Sequence, residues 1–93
     1  MSQKDWLRPT TQPAQMIYDA WHKETENRTK FEYVEWCKNE RKVVFETANL
    51  AAKKYGLKSV TIEEVEAAEQ NAYGSVDYGA KWVYGVLDKM RGN

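Results

Sequence analysis

The stretch AAKKYGLKSVTIEEV, residues 51–65, contains a helix stop and a helix restart a few residues apart. Lys53 and Lys54 sit where positive charge favours the negative end of a helix dipole. Gly56 follows, and glycine takes the left-handed C′ position without a Cβ penalty. Thr61-Ile62-Glu63-Glu64 then has capping-box spacing, in which the Thr hydroxyl and the Glu carboxylate each satisfy the other residue's backbone N–H. The segment predicts one helix ending at Tyr55 and another opening at Thr61.

Upstream, Thr29-Lys30-Phe31-Glu32 has the same capping-box spacing, and no Pro or Gly intervenes before Gly56. Val34, Cys37, Arg41, Val44, Ala48, Ala51 and Tyr55 follow three-four spacing, with Phe31, Phe45 and Ala52 broadening the stripe. Arg41 is the odd member, and its aliphatic stem is expected along the stripe's edge. Before this helix, Glu24 to Arg28 is polar throughout and reads as a connection. A first helix opens near Pro13, favoured at the first helical position, with Thr11 or Gln12 as cap. Ala14, Ile17 and Trp21 form its apolar stripe.

Downstream, Ile62, Val65, Ala68 and Ala72 give a third helix a narrow apolar face, with Ala67 at its edge. Its other face reads as acidic and solvated: Glu63, Glu64, Glu66 and Glu69. Gly74 closes it. Ser75 is the expected cap of a fourth helix running to about Met90, with Tyr78, Trp82, Val83, Val86, Leu87 and Met90 in helical register and an Asp77–Lys81 pair at i, i+4. Gly79 and Gly85 weaken this helix by about 1 kcal/mol each relative to Ala, which suggests either close approach of another helix or a shorter helix than this one.

The expected architecture is all-α: a small bundle of about four helices with one long central helix at about 29–55. Residues 1–12, with Trp6, Leu7 and Pro9, form an irregular N-terminal arm, and 13–93 one helical domain. Ninety-three residues are one domain's worth of chain, burying roughly 60–65% of the unfolded surface.

Composition bounds the function. Fourteen basic and fourteen acidic residues balance to a formal charge of zero. That removes the general attraction to phosphate on which nucleic-acid binders rely, and it disfavours a membrane-surface role. No apolar run approaches the roughly 20 residues of a membrane span, so no membrane association is expected. Cys37 is the lone cysteine, which fits a reducing, cytoplasmic compartment.

Asp19, His22 and Glu26 share one helix face at i, i+3 and i+7, yet a zinc site wants more committed ligands than they supply. They read as a solvated polar face, and Cys37 as a buried small hydrophobe. No phosphate loop, dinucleotide fingerprint or nucleophile elbow is present. No catalytic residue, metal or cofactor is therefore assigned. Tyr73, Tyr78, Trp82 and Tyr84 concentrate around the last junction and helix, and aromatic residues are enriched at interfaces. They are the candidate surface for a protein partner or a homo-oligomer, in a non-enzymatic accessory or regulatory module. The alternative is a small-molecule- or cofactor-binding protein with a Trp- and Tyr-lined pocket between the helices.

Two resemblances attach to the opening stretch. Ala52-x-x-x-Gly56-Leu57-x-x-x-Thr61-Ile62 resembles the turn of helix-turn-helix proteins. The helix that would enter the groove carries Glu63, Glu64, Glu66 and Glu69, which repel phosphate, so nucleic-acid binding is not expected. Arg41-Lys42, Ala52-x-x-x-Gly56 and Val60-Thr61-x-Glu63 also resemble the small helical C-terminal domain of the light-independent protochlorophyllide reductase B subunit and its free-standing relatives. This likeness covers about residues 41–68, and its Arg41-to-Ala52 spacing is about one turn longer than the family's. It implies an accessory helical module attached to a redox or tetrapyrrole enzyme, and it carries over no catalytic residue.

Overall fold

A computed structural model of the chain describes residues 11–26 and 33–92. Four helices run through them: α1 (Gln12–Thr25), α2 (Tyr33–Tyr55), α3 (Ile62–Ala72) and α4 (Tyr78–Met90), with no strand among the described residues. Of the expected arm at 1–12, residues 1–10 lie outside them, as does the expected capping box at Thr29–Glu32, while Gln12 already belongs to α1 with Thr11 at its N-cap. α2 is the longest helix, at 23 residues. α1 packs along α2, α3 along α4, and α1 crosses α4 to join the two pairs.

The α2–α3 junction forms as its sequence predicts. Gly56 has φ +68°, and the Leu57 N–H donates to the Ala52 carbonyl at 2.8 Å, the six-to-one bond of a Schellman ending. At the restart, the Glu64 N–H donates to Thr61 Oγ1 (3.1 Å), and the Thr61 N–H donates to Glu64 Oε1 (3.0 Å). That capping pulls the Glu64 carboxyl below its ordinary value, the Thr61 backbone N–H being the largest cause. Between the caps, the Asn49 side-chain amide pairs with both backbone groups of Val60. The Lys58 N–H donates to the Met90 carbonyl at the far end of α4. The junction is thus fastened to two helices.

Three expectations need correction. First, α4 begins at Tyr78, not after Ser75. Asp77 is its cap, and the carboxylate accepts from the Ala80 N–H at 3.0 Å. A carboxylate at the positive helix end adds charge to the capping bond, an advantage Ser75 lacks. Second, helix continues through Glu24 and Thr25, residues read as connection. Third, the buried face of α2 departs from the expected stripe in its N-terminal half, while Val44, Ala48, Ala51 and Ala52 are buried as expected. It runs Trp36, Glu40, Val44, Ala48, Ala51 and Ala52, while Cys37 and Arg41 flank it half-buried. The expected stripe left out Glu40, although it lies four residues from both Trp36 and Val44.

The core is closed by α4, whose Trp82, Val83, Val86, Leu87 and Met90 are all buried as expected. Trp82 donates its indole N–H to the Val65 carbonyl at 3.0 Å, tying α4 to α3. Both α4 glycines mark close approach. A Cβ on Gly79 would collide with the Trp21 ring of α1, and one on Gly85 would stand 3.1 Å from the Ala68 Cβ of α3.

Candidate binding cleft

Among the described residues two glutamates are buried. Glu40 on α2 and Glu69 on α3 are each only 1% exposed. A carboxylate leaves water only at considerable cost unless donors replace its hydration. For Glu40 one donor is the indole N–H of Trp21, reaching across from α1 to Oε1. Trp21 is held there by packing over Gly79, against Tyr18 (ring centroids 5.6 Å apart) and against Tyr78 (6.2 Å).

Glu69 is satisfied from two sides. Arg41 Nε donates to Oε1 at 2.6 Å, and the Tyr78 hydroxyl donates to Oε2 at 2.8 Å. Three helices thereby meet on one carboxylate. The Glu69 bond holds the Arg41 guanidinium charged well beyond its ordinary range. Burial, followed by the bond to Glu69, pushes the Tyr78 hydroxyl far above the ordinary tyrosine value. Tyr78 therefore stays a hydrogen-bond donor at any physiological pH. Glu69 was expected on a solvated face; Arg41, 28 positions earlier, and Tyr78 admit it to the interior.

Both glutamates are among the residues that border a cleft of about 330 Å³. Trp36 and Cys37 line it from α2, Tyr73 and Gly74 from the α3–α4 turn, and Tyr78 from the start of α4. Tyr73 and Tyr78 stack nearly parallel, with centroids 5.5 Å apart and planes at 12°, which makes one continuous aromatic wall. Cys37 is half-exposed on this cleft rather than buried in the core.

The four aromatic residues expected to form a contact surface are dispersed. Trp82 is wholly buried and belongs to the core. Tyr78 is half-buried, its hydroxyl taken by Glu69. Tyr84 is half-buried on α4, and Tyr73 alone of the four is exposed, at 54%. Val76 on the same turn is 91% exposed and was not anticipated. Asp19, His22 and Glu26 are exposed on or just beyond α1, and Gln15 donates to Asp19 at 2.7 Å. Among the described residues no three His, Cys, Asp or Glu side chains converge as a metal site would require.

The acidic face of α3 is narrower than its sequence suggests. Glu63 and Glu66 are exposed, but Glu64 serves the capping box and Glu69 is buried. The 41–68 pattern is occupied structurally: Arg41 pairs with Glu69, Gly56 ends α2 and Thr61 opens α3. Among the described residues no helix is long and apolar enough to cross a membrane. Comparison with protein-family models, curated proteins and solved structures finds no match to this chain.

The cleft escaped the sequence reading because its chemistry rests on residues assigned elsewhere. Glu40 received no role and Glu69 was placed in solvent. A signal was present: each glutamate falls in register with an apolar stripe, Trp36–Glu40–Val44 on α2 and Val65–Glu69–Ala72 on α3.

Proposed function

We propose that this protein binds a small molecule in the cleft between α2 and the α3–α4 turn. The observation that carries the reading is the pair of buried carboxylates on a concave surface walled by Trp36, Tyr73 and Tyr78. Binding sites are mostly apolar concavities with a few placed polar groups, and about 330 Å³ lies at the lower end of their usual range of roughly 300–1,000 Å³. Stability alone gives little reason to keep buried charges, because apolar replacements of similar volume commonly do as well. Ionisable groups held in an unusual environment beside a cleft favour a functional origin.

The reading is of binding rather than catalysis. Cys37 is the one nucleophile type at the cleft, and thiols are activated by a neighbouring Lys, Arg or His or by a helix N-terminus. The described lining residues include no such cation. Native mass spectrometry of protein purified from its source tests the proposal. A bound small molecule, lost when the cleft is filled by Cys37→Trp, is the expected result; ligand-free protein in every preparation would count against it.

A second reading is favoured by Val76. A side chain this exposed, next to Tyr73 and beside a hollow of about 520 Å³ bordered by Ala80 and Tyr84, suits a protein contact. The partner would be a second copy or the larger protein of which this chain is an accessory subunit. Sedimentation across a concentration series tests the first, and a pull-down with Val76→Asp as control tests the second.

A further inference from the structure

We propose that the surface around Val76 is self-complementary and pairs two copies of this chain about a two-fold axis. This rests on the reading of Val76 as a protein contact and adds which partner it meets and how the two dock. A two-fold contact uses the same patch on both copies, so the patch must carry both halves of every interaction. A patch that offers only a projection, or only one sign of charge, cannot meet itself.

The turn before α4 and the first turns of that helix carry both halves of two interactions. The first is shape. Val76, 91% exposed, borders a hollow of about 520 Å³ that Gly74, Ala80 and Tyr84 also line. A projecting apolar side chain and an apolar hollow thus lie side by side on one surface. The second is charge. Asp77 and Lys81 border the same hollow. Their i, i+4 spacing suits an ion pair within α4, yet they form none; the ion pairs among the described residues are Lys38–Glu35 and Arg41–Glu69. Asp77 instead caps the helix, its Oδ1 accepting from the Ala80 N–H. Its charge meets no cation, and Lys81 stands exposed without an anion. In the two-fold pair each Val76 enters the other copy's hollow, and each Lys81 meets the other copy's Asp77. Surface pairs of this kind fix register and orientation more than affinity, and burial of Val76 supplies the apolar contact. A partner of strongly acidic or basic character has nothing here to select it, since the rim carries one charge of each sign. The whole chain has a formal charge of zero, so two copies approach without net repulsion.

Sedimentation velocity of the purified full chain, from about 1 µM to 1 mM, tests the proposal. The expected result is a monomer at the lowest concentration and a growing dimer at the highest. Val76→Asp should remove the dimer. Lys81→Glu leaves only negative charge on the rims of both copies and should raise the dimer's dissociation constant about tenfold or more. Lys42→Glu changes the net charge equally at an exposed position of α2 outside the hollow, and should leave the dimer intact. All three positions are exposed, and circular dichroism checks that each variant folds. A strict monomer at every concentration overturns the inference. If that monomer still retains from a lysate a protein that Val76→Asp does not, the contact reading of Val76 stands without it; if it retains none, both fall. A dimer that survives both Val76→Asp and Lys81→Glu has its interface elsewhere, and the inference falls. Equal weakening by Lys42→Glu and Lys81→Glu would reveal general repulsion and overturn the pairing of Lys81 with Asp77.

Discussion

The α2–α3 junction and the cleft are built by opposite means. At the junction the turn and the caps are made locally, with partners no more than 11 positions apart: Gly56 turns the chain, Thr61 and Glu64 cap each other, and Asn49 holds Val60; the Lys58 bond to Met90 then ties the finished turn to α4. In the cleft, Glu40 is reached by Trp21, 19 positions away, and Glu69 by Arg41, 28 positions away. The junction is solved by local backbone chemistry, which any chain with those residues would repeat. The cleft exists only once all four helices have assembled. Its polar groups are tolerated by partners that local sequence does not reveal.

The sharpest test of this contrast is a pair of glycines. Helix propensity predicts that Gly79→Ala stabilises α4 by about 1 kcal/mol. Packing predicts the reverse, because the added methyl would occupy the space of the Trp21 ring. That ring is anchored to Glu40 and wedged against Tyr78, so it has little room to yield. The expected outcome is a net loss of about 3 kcal/mol, the upper end for overpacked cores, measured by urea denaturation. A stabilised variant would show that the crossing of α1 and α4 is looser than described.

The second test separates structure from function in the cleft. Arg41→Ala strands the Glu69 carboxylate, and the expected loss is about 2 kcal/mol, less than for a fully buried pair because Arg41 is partly solvated. Arg41→Met combined with Glu69→Leu should restore stability to within about 1 kcal/mol of the parent, as apolar replacements of buried pairs commonly do. Ligand binding should not return with it. A double variant as unstable as the single one would mean that the pair is retained for stability.

What was legible in the sequence follows the same division. The all-α class, the C-terminal end of α2, the start of α3 and the apolar faces of α1 and α4 follow from caps and periodicity, which are properties of a few neighbouring residues. Three features were not legible. The N-terminal half of the buried face of α2 turns on whether Glu40 is inside, which depends on donors from beyond its own helix such as Trp21. The burial of Glu69 turns on Arg41 and Tyr78. The start of α4 turns on a choice between Ser75 and Asp77, two residues suited to capping, and it is Asp77 whose carboxylate accepts from the Ala80 N–H. The cleft was invisible because its acids were read by residue type rather than by register.

Gly56→Ala provides the junction's counterpart to Gly79→Ala. Nothing lies within 4 Å of the position a Cβ would take, so packing is not at issue. The cost is the left-handed backbone alone, about 1 kcal/mol. Gly56→Asn should recover part of it, since Asn tolerates that region better than Ala. Equal losses at Gly56 and Gly79 would erase the distinction between a glycine needed for conformation and one needed for space.

The smallest effect belongs to Glu64. Its carboxyl is held below its ordinary value of 4.5 chiefly by the Thr61 backbone N–H. A group whose folded pKa is depressed contributes stability that is present above the unfolded value and lost as pH falls through the folded one. The capping contribution should therefore be intact at neutral pH and fade below about pH 4.5. Glu64→Gln retains an acceptor for the Thr61 N–H but cannot titrate. The expected result is a small loss at pH 7 and a shallower acid decline than the parent between pH 4.5 and the start of acid unfolding. Thermal unfolding at a series of pH values measures both. Identical slopes in parent and variant would mean that the acid sensitivity of this fold resides in the buried carboxylates of the cleft and not at its best-capped helix.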